Sequence, residues 1–208
     1  MAYAVRLPSR LTSALEKDGF VVEIERERKF LVDKSAMPDL SQYPHKELLQ
    51  SYFKDSRSGH WIRARRVDGN GERRNIVTIK ELVPGGNDDY ERREAEHDIT
   101  SDDFGRLLRL SEGRVLSKTR YYIPHNGHVI ELDIYHSGEG VKSLEGLVTA
   151  EVEFGSMADL MAFVPPDWFG AEVSSDRRYR SRKLAKYGVP ADYWENEPRH
   201  EMTEMLRK

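Results

Sequence analysis

From Val21 onward the chain alternates apolar and polar positions with a period of two, the mark of strands buried on one face. Seven or eight segments keep that pattern: 21–33, 47–55, 60–68, 73–82, 89–99, 114–124, 128–135 and 147–154. The gaps are filled by turn formers: Ser58-Gly59, Asp68-Gly69-Asn70-Gly71, Pro84-Gly85-Gly86-Asn87 and Asn126-Gly127. Asn-Gly between two alternating runs is a strong hairpin signal. Two helical stretches interrupt the strands. Thr100, Ser101, Asp102 and Asp103 offer caps to one carrying Phe104, Leu107, Leu108 and Leu110. Ser156 caps the other, with Leu160, Met161 and Phe163, which Pro165-Pro166 ends. A helical pattern returns after Ser174, through Leu184, Tyr187, Tyr193, Trp194 and Met202. Residues 1–20 are weakly patterned, with a short amphipathic stretch at 11–15, and read as an N-terminal arm. Many strands joined by short turns imply a barrel or a sandwich.

The polar positions on these strands are charged, and like charges repeat at i, i+2, on one face of each strand. One parity of the first segment reads Glu23, Glu25, Glu27, Lys29; the other reads Val22, Ile24, Arg26, Arg28, Phe30, Val32. Arg63 and Arg65 share a face, as do Arg92, Glu94 and Glu96, while Lys80 lies beside Thr78. Lys118 and Arg120 oppose Tyr121 and Ile123; Glu131 and Asp133 oppose Ile130, Leu132 and Ile134. Glu151 and Glu153 oppose Val148, Ala150, Val152 and Phe154. A solvated sheet face explains any one pair. It explains the set poorly, because like charges side by side on a sheet repel. Two like charges 4 Å apart cost about 4 kcal/mol at an effective dielectric of 20. Hard divalent cations offset paired carboxylates, and a polyanion offsets paired bases. A phosphate chain with Mg²⁺ or Mn²⁺ satisfies both. The apolar faces must then pack outward against helices, which leaves the charged faces lining a wet channel.

Composition narrows the partners. Of 208 residues, 33% are charged, against about 25% in ordinary globular chains, yet the net charge is only −3. Charge density is therefore high without a global pull towards nucleic acid or membrane. No cysteine is present, which removes disulfides, thiolate zinc sites and thiol catalysis. No apolar run approaches a membrane span, and the first residues lack a signal-peptide core. A cytoplasmic protein is expected.

In order along the chain, the charged motifs read Glu25-x-Glu27-x-Lys29, Arg63-x-Arg65, Thr78-Ile79-Lys80, Arg92-x-Glu94-x-Glu96, Lys118-x-Arg120-Tyr121, Glu131-x-Asp133, Glu151-x-Glu153 and Asp176-x-Arg178-Tyr179. This series resembles the CYTH, or triphosphate tunnel metalloenzyme, superfamily over roughly residues 21–187. The resemblance implies an α+β, mainly β fold: an eight-stranded antiparallel closed β-barrel, or tunnel, with peripheral helices. It divides the chain into an arm (1–20), a tunnel domain (21–187) and a C-terminal helix packed on the barrel (188–208). The function implied is metal-dependent hydrolysis of a triphosphate, foremost inorganic tripolyphosphate to pyrophosphate and phosphate. Relatives that cyclise ATP, or hydrolyse thiamine or nucleoside triphosphates, are the alternatives, with a non-catalytic polyphosphate-binding module as a further one. Glu25, Glu27 and Glu153, supported by Glu151, would bind Mg²⁺ or Mn²⁺. Lys29, Arg63, Arg65, Lys80, Lys118, Arg120 and Arg178 would clamp phosphate oxygens. Glu94, Glu96 and Asp133 would hold a second metal or orient the attacking water, and Lys80 would count among the catalytic residues as well as the clamp. A homodimer is compatible with the family. His97, His125, His128 and His136 read as turn and surface residues, and the basic run 177–183 as solvated apart from Arg178.

Overall fold

In a computed structural model of the protein, the described residues are 17–56, 60–137 and 144–196. Most of the arm, the Ser58-Gly59 turn and residues 197–208, including Met202, lie outside them. Among the described residues nine strands form: β1 (Val21–Val32), β2 (His45–Lys54), β3 (Trp61–Gly69), β4 (Glu72–Leu82), β5 (Glu91–Asp98), β6 (Val115–His125), β7 (His128–His136), β8 (Val148–Glu153) and β9 (Phe169–Glu172). The helices are α1 (Ser101–Leu110), α2 (Met157–Ala162), α3 (Ser181–Tyr187) and α4 (Tyr193–Asn196). Short 3₁₀ turns occupy Leu40–Gln42 and Arg177–Tyr179. Among the described residues no helix is long and apolar enough to cross a membrane.

Every strand pairing is antiparallel. The ring runs β5-β4-β3-β2-β6-β7-β8-β1 and closes through β1 on β5. Strand β1 makes that closure by dividing its length. Val21–Arg26 pair with β5, Glu27–Leu31 pair with β8, and Phe30 and Val32 meet the extra strand β9. Two hairpins take the turn their sequence demands. Asn70-Gly71 and Asn126-Gly127 both hold positive φ (54° and 77°, 47° and 80°), the left-handed pair that makes a tight hairpin match strand twist.

The outward faces carry the main core. Phe30, Val32, Ile130, Leu132, Ala150 and Val152 pack beneath Leu160 of α2 and Phe163. Thr100 accepts the Asp103 backbone N–H to start α1, and Ser156 accepts that of Asp159 to start α2. Phe104 of α1 is fully buried, with Arg66 of β3 stacked 4.4 Å from its ring. A second apolar cluster stops part of one barrel end. Tyr52, Leu116 and Tyr135 meet Leu144, Leu147, Val173, Tyr179, Leu184 and Tyr193 there, so the segment after β9 is a stopper.

Candidate active site

The inward parity of the strands carries the charge. The register sets Glu27 against Glu153, Lys29 against Glu151, and Lys80 against Glu94. Arg63 lies beside Thr78, which lies beside Glu96, and Arg120 lies beside Asp133. These faces enclose a cavity of about 1630 Å³. Arg74 and Asp98 line it at one set of strand ends, and Trp61, Leu82 and Arg92 at the other, so it runs the length of the barrel. Glu25, Glu27, Lys29, Arg63, Arg65, Lys80, Glu94, Glu96, Lys118, Arg120, Glu151 and Glu153 all line it.

Ion pairs hold most of these groups. Lys29 Nζ meets Glu151 at 2.5 Å and also donates to the Tyr179 carbonyl at 3.3 Å. Arg63 reaches Glu94 at 2.6 Å and Glu96 at 3.2 Å. Lys80 lies 2.6 Å from Glu25 and 3.2 Å from Glu94. Arg120 closes its fork on Asp133 and also reaches Glu151 at 2.5 Å and Glu131. Lys118 pairs with Asp133 as well. Burial works against the Glu94 carboxylate, but Lys80, Arg63 and Arg65 hold it down to about 2. Burial and repulsion from Arg120 bring Lys118 down to about 8 against the pull of Asp133 and Glu151.

Three groups are under-compensated. Arg65 shares Glu96 with Arg63, its buried Nε has no partner, and burial with repulsion from Arg63 lowers it to about 10. Burial, with repulsion from Glu27 and Glu94, pushes Glu25 up to about 8 despite Lys80. Burial and Glu27 also raise Glu153. The interior thus has a cation short of an acid on β3 and acids short of a cation on β1 and β8. In the ring, β3 stands four strands from β8, the opposite wall.

An inorganic triphosphatase of Nitrosomonas europaea is 35% identical over 163 residues, which span 77% of this chain and 96% of that protein. An inorganic triphosphatase of Acetivibrio thermocellus is 31% identical over 163 residues, 78% of this chain and 93% of the relative. The chain belongs to their family, the CYTH or triphosphate tunnel family. The crystal structure of an inorganic triphosphatase shares 33% identity and a TM-score of 0.54, over 77% of this chain and 93% of that one. No family model matches the chain.

Within this triphosphate tunnel, two residues expected at the cavity are elsewhere. Asp133 is fully buried behind Lys118 and Arg120 and does not line the space. Its side chain is consumed by two bases in the wall. Arg178 points out: its guanidinium grips Asp176 and Asp192, and its side chain is 56% exposed. The Arg177–Tyr179 turn is 3₁₀, so strand parity does not carry through it, and Arg177, Arg180 and Arg182 face the cavity in its place. Gln50, Tyr52, Thr78 and Trp61 also line the tunnel. Being uncharged, Gln50, Tyr52 and Trp61 escape a search for charge, though the alternation of β2 and β3 would have found them, while Thr78 belongs to the Thr78-Ile79-Lys80 motif of β4. Thr78 donates to Glu96 at 2.8 Å and accepts from Arg63 at 3.2 Å. Of the four histidines expected in turns or at the surface, His97 lines one end of the cavity, where it meets the Gly19 carbonyl, while His136 meets Thr119 and His125 and His128 lie against Phe163, away from it.

The tunnel family implies a divalent metal. Among the described residues no three acidic or histidine side chains stand together as a finished metal site. The donor chemistry nevertheless fits a hard cation. Glu25, Glu27 and Glu153 supply only carboxylate oxygens, and burial with repulsion from the neighbouring acids holds Glu25 and Glu153 above their ordinary range despite Lys80. Glu151 is less available, since Lys29 and Arg120 already hold it.

Proposed function

We propose that this tunnel protein hydrolyses inorganic tripolyphosphate to pyrophosphate and phosphate with Mg²⁺ or Mn²⁺. The observation that supports it most is the unequal compensation inside the barrel: Arg65 shares Glu96 with Arg63, Glu25 shares Lys80 with Glu94, and among the described residues Glu27 and Glu153 have no ion-pair partner. A metal–triphosphate complex supplies both missing charges. Glu25, Glu27 and Glu153 would hold the ion, which when bound neutralises charge on the phosphate oxygens.

The remaining work falls to the chain. Phosphoryl transfer needs mainly positioning and charge neutralisation. Lys29, Arg63, Arg65, Lys80, Lys118 and Arg120 hold the phosphates in line. Water attacks the terminal phosphorus; a new P–O bond forms, the bridging P–O bond breaks, pyrophosphate leaves and one proton is lost. Glu94 and Glu96 face the cavity and orient that water as hydrogen-bond acceptors. Asp133 acts through Lys118 and Arg120 as a positioning residue. A cytoplasmic homodimer completes the proposal, the cysteine-free composition suiting a reducing compartment and two-fold dimers being the commonest assembly.

The test is a panel of tripolyphosphate, ATP and thiamine triphosphate, each with Mg²⁺, Mn²⁺ or chelator, with every product identified. Metal-dependent release of phosphate and pyrophosphate from tripolyphosphate is expected. Cyclic AMP with pyrophosphate from ATP would make the protein a cyclase instead. Tight binding without turnover would make it a binding module.

A further inference from the structure

The two ends of the tunnel differ in charge. At the end shared by Trp61, Leu82 and Arg92, the stopper covers only part of the opening. The remainder is edged by Arg92, Arg177, Arg180 and Arg182, all lining the cavity. Among the described residues none of the four is held in an ion pair. Arg92 donates to the Glu91 carbonyl at 2.6 Å, and Arg180 to the Asp88 carbonyl at 3.4 Å. Asp176 at this rim is taken by Arg178. Asp89 is the acid that acts on Arg180, and it does not outweigh burial and repulsion from Arg92, Arg177 and Arg182, which lower that guanidinium. Arg182 lies 4.3 Å from the Trp61 ring. Trp61 is the next inward position on β3 beyond Arg65 and Arg63, so the row of guanidinium groups continues outward from the clamp. Four residues of strand separate Trp61 from Arg65, about 13 Å. Among the described residues the opposite end has no such excess: Arg74 is paired with Asp98 at 2.6 Å, His97 meets the Gly19 carbonyl, and Glu23 is exposed.

We propose that this arginine-edged mouth is the capture site at which a phosphate polyanion enters the tunnel and is handed along β3 to the clamp. It rests on the triphosphate reading above and adds a direction to it. Unpaired cations around a low-dielectric opening focus the field and speed association of an anion, an effect that salt removes.

The experiment compares wild type with the double variant Arg177→Glu/Arg180→Glu, and with a charge-matched control on α1, Arg106→Glu/Arg109→Glu. Tripolyphosphate turnover is measured with Mg²⁺ from low to high KCl. The mouth variant should lose roughly 10-fold or more in kcat/KM at low salt, the loss falling on KM, with the gap closing as salt rises. The α1 control should match wild type. Arg177→Lys/Arg180→Lys keeps the charge and should restore the rate, which a merely structural role would not do. Stopped-flow association of tripolyphosphate, followed by tryptophan fluorescence, reads the same mouth without turnover. If wild type binds but does not hydrolyse, the hydrolase reading fails and the capture site is still measured. Equal association rates and equal salt dependence in wild type and the Glu variant overturn the proposal.

Discussion

Arg120 and Asp133 face each other across β6 and β7 as a closed fork, Nε to Oδ1 at 2.6 Å and Nη2 to Oδ2 at 2.7 Å. Asp133 is fully buried and has no access to the tunnel space. It therefore anchors a base that does have access, and Lys118 leans on the same carboxylate. Asp133→Asn leaves two buried cations with reduced compensation. Breaking a buried pair costs about 3–5 kcal/mol. Urea unfolding should show a loss of that order, together with a fall in kcat from the displaced Arg120.

Arg65 should behave in the opposite way. It shares one acid with Arg63, and its Nε has no partner. Arg65→Ala should thus disturb folding less than Arg120→Ala. It should weaken tripolyphosphate binding by about 1.5–3 kcal/mol, the range for a hydrogen bond to a charged group. Titration calorimetry on both variants, with chemical denaturation alongside, separates a substrate clamp from a structural cation.

The Glu25 carboxyl is pushed up to about 8 in the metal-free protein, by burial first and then by Glu27 and Glu94. A carboxyl raised in the folded state binds more protons there than in the unfolded chain between its ordinary value and about 8. Stability contributed by this group is therefore full at acid pH and is lost as pH rises through that window. Glu25→Gln should remove the loss. The metal-free variant should gain in melting temperature over wild type at pH 8, and gain little at pH 5. Saturating Mg²⁺ should stabilise wild type more than the variant.

Leu184 of α3 is fully buried in the apolar stopper, beside Tyr52 and Tyr179. Leu184→Ala should cost about 2–5 kcal/mol, as a core leucine truncation does. Because α3 also carries Arg182 onto Trp61, the same change should raise KM for tripolyphosphate through a loosened rim. Thermal denaturation and steady-state kinetics on one preparation check both halves.

Much of this architecture is legible in the residues because period-two patterning and Asn-Gly turns act locally. The eight predicted segments match β1 to β8 with ends shifted by a few residues, and Thr100 and Ser156 cap the helices expected of them. Strand β9 escaped because Phe169–Glu172 is four residues long and contains Gly170 and Ala171, too short and too small to show alternation. Its existence depends on the edge of β1 that β5 leaves free. At the site, parity alone picked out the inward charges. It could not tell that Asp133 spends its oxygens inside the wall. Nor could it carry across the 3₁₀ turn at Arg177–Tyr179, where Arg178 turns away and its neighbours turn in. Those outcomes depend on partners distant in the chain, Asp192 for Arg178 and Lys118 with Arg120 for Asp133.

Strand β1 borders β5, β8 and β9, and among the described residues no other strand in the ring divides its length among three neighbours. It also carries Glu25, Glu27 and Lys29. The hoop is therefore fastened along the same strand that bears the cation-seeking acids. An ion drawing Glu27 and Glu153 together would tighten the join between first and last staves as it loads, making occupancy of the hollow and integrity of the wall one event.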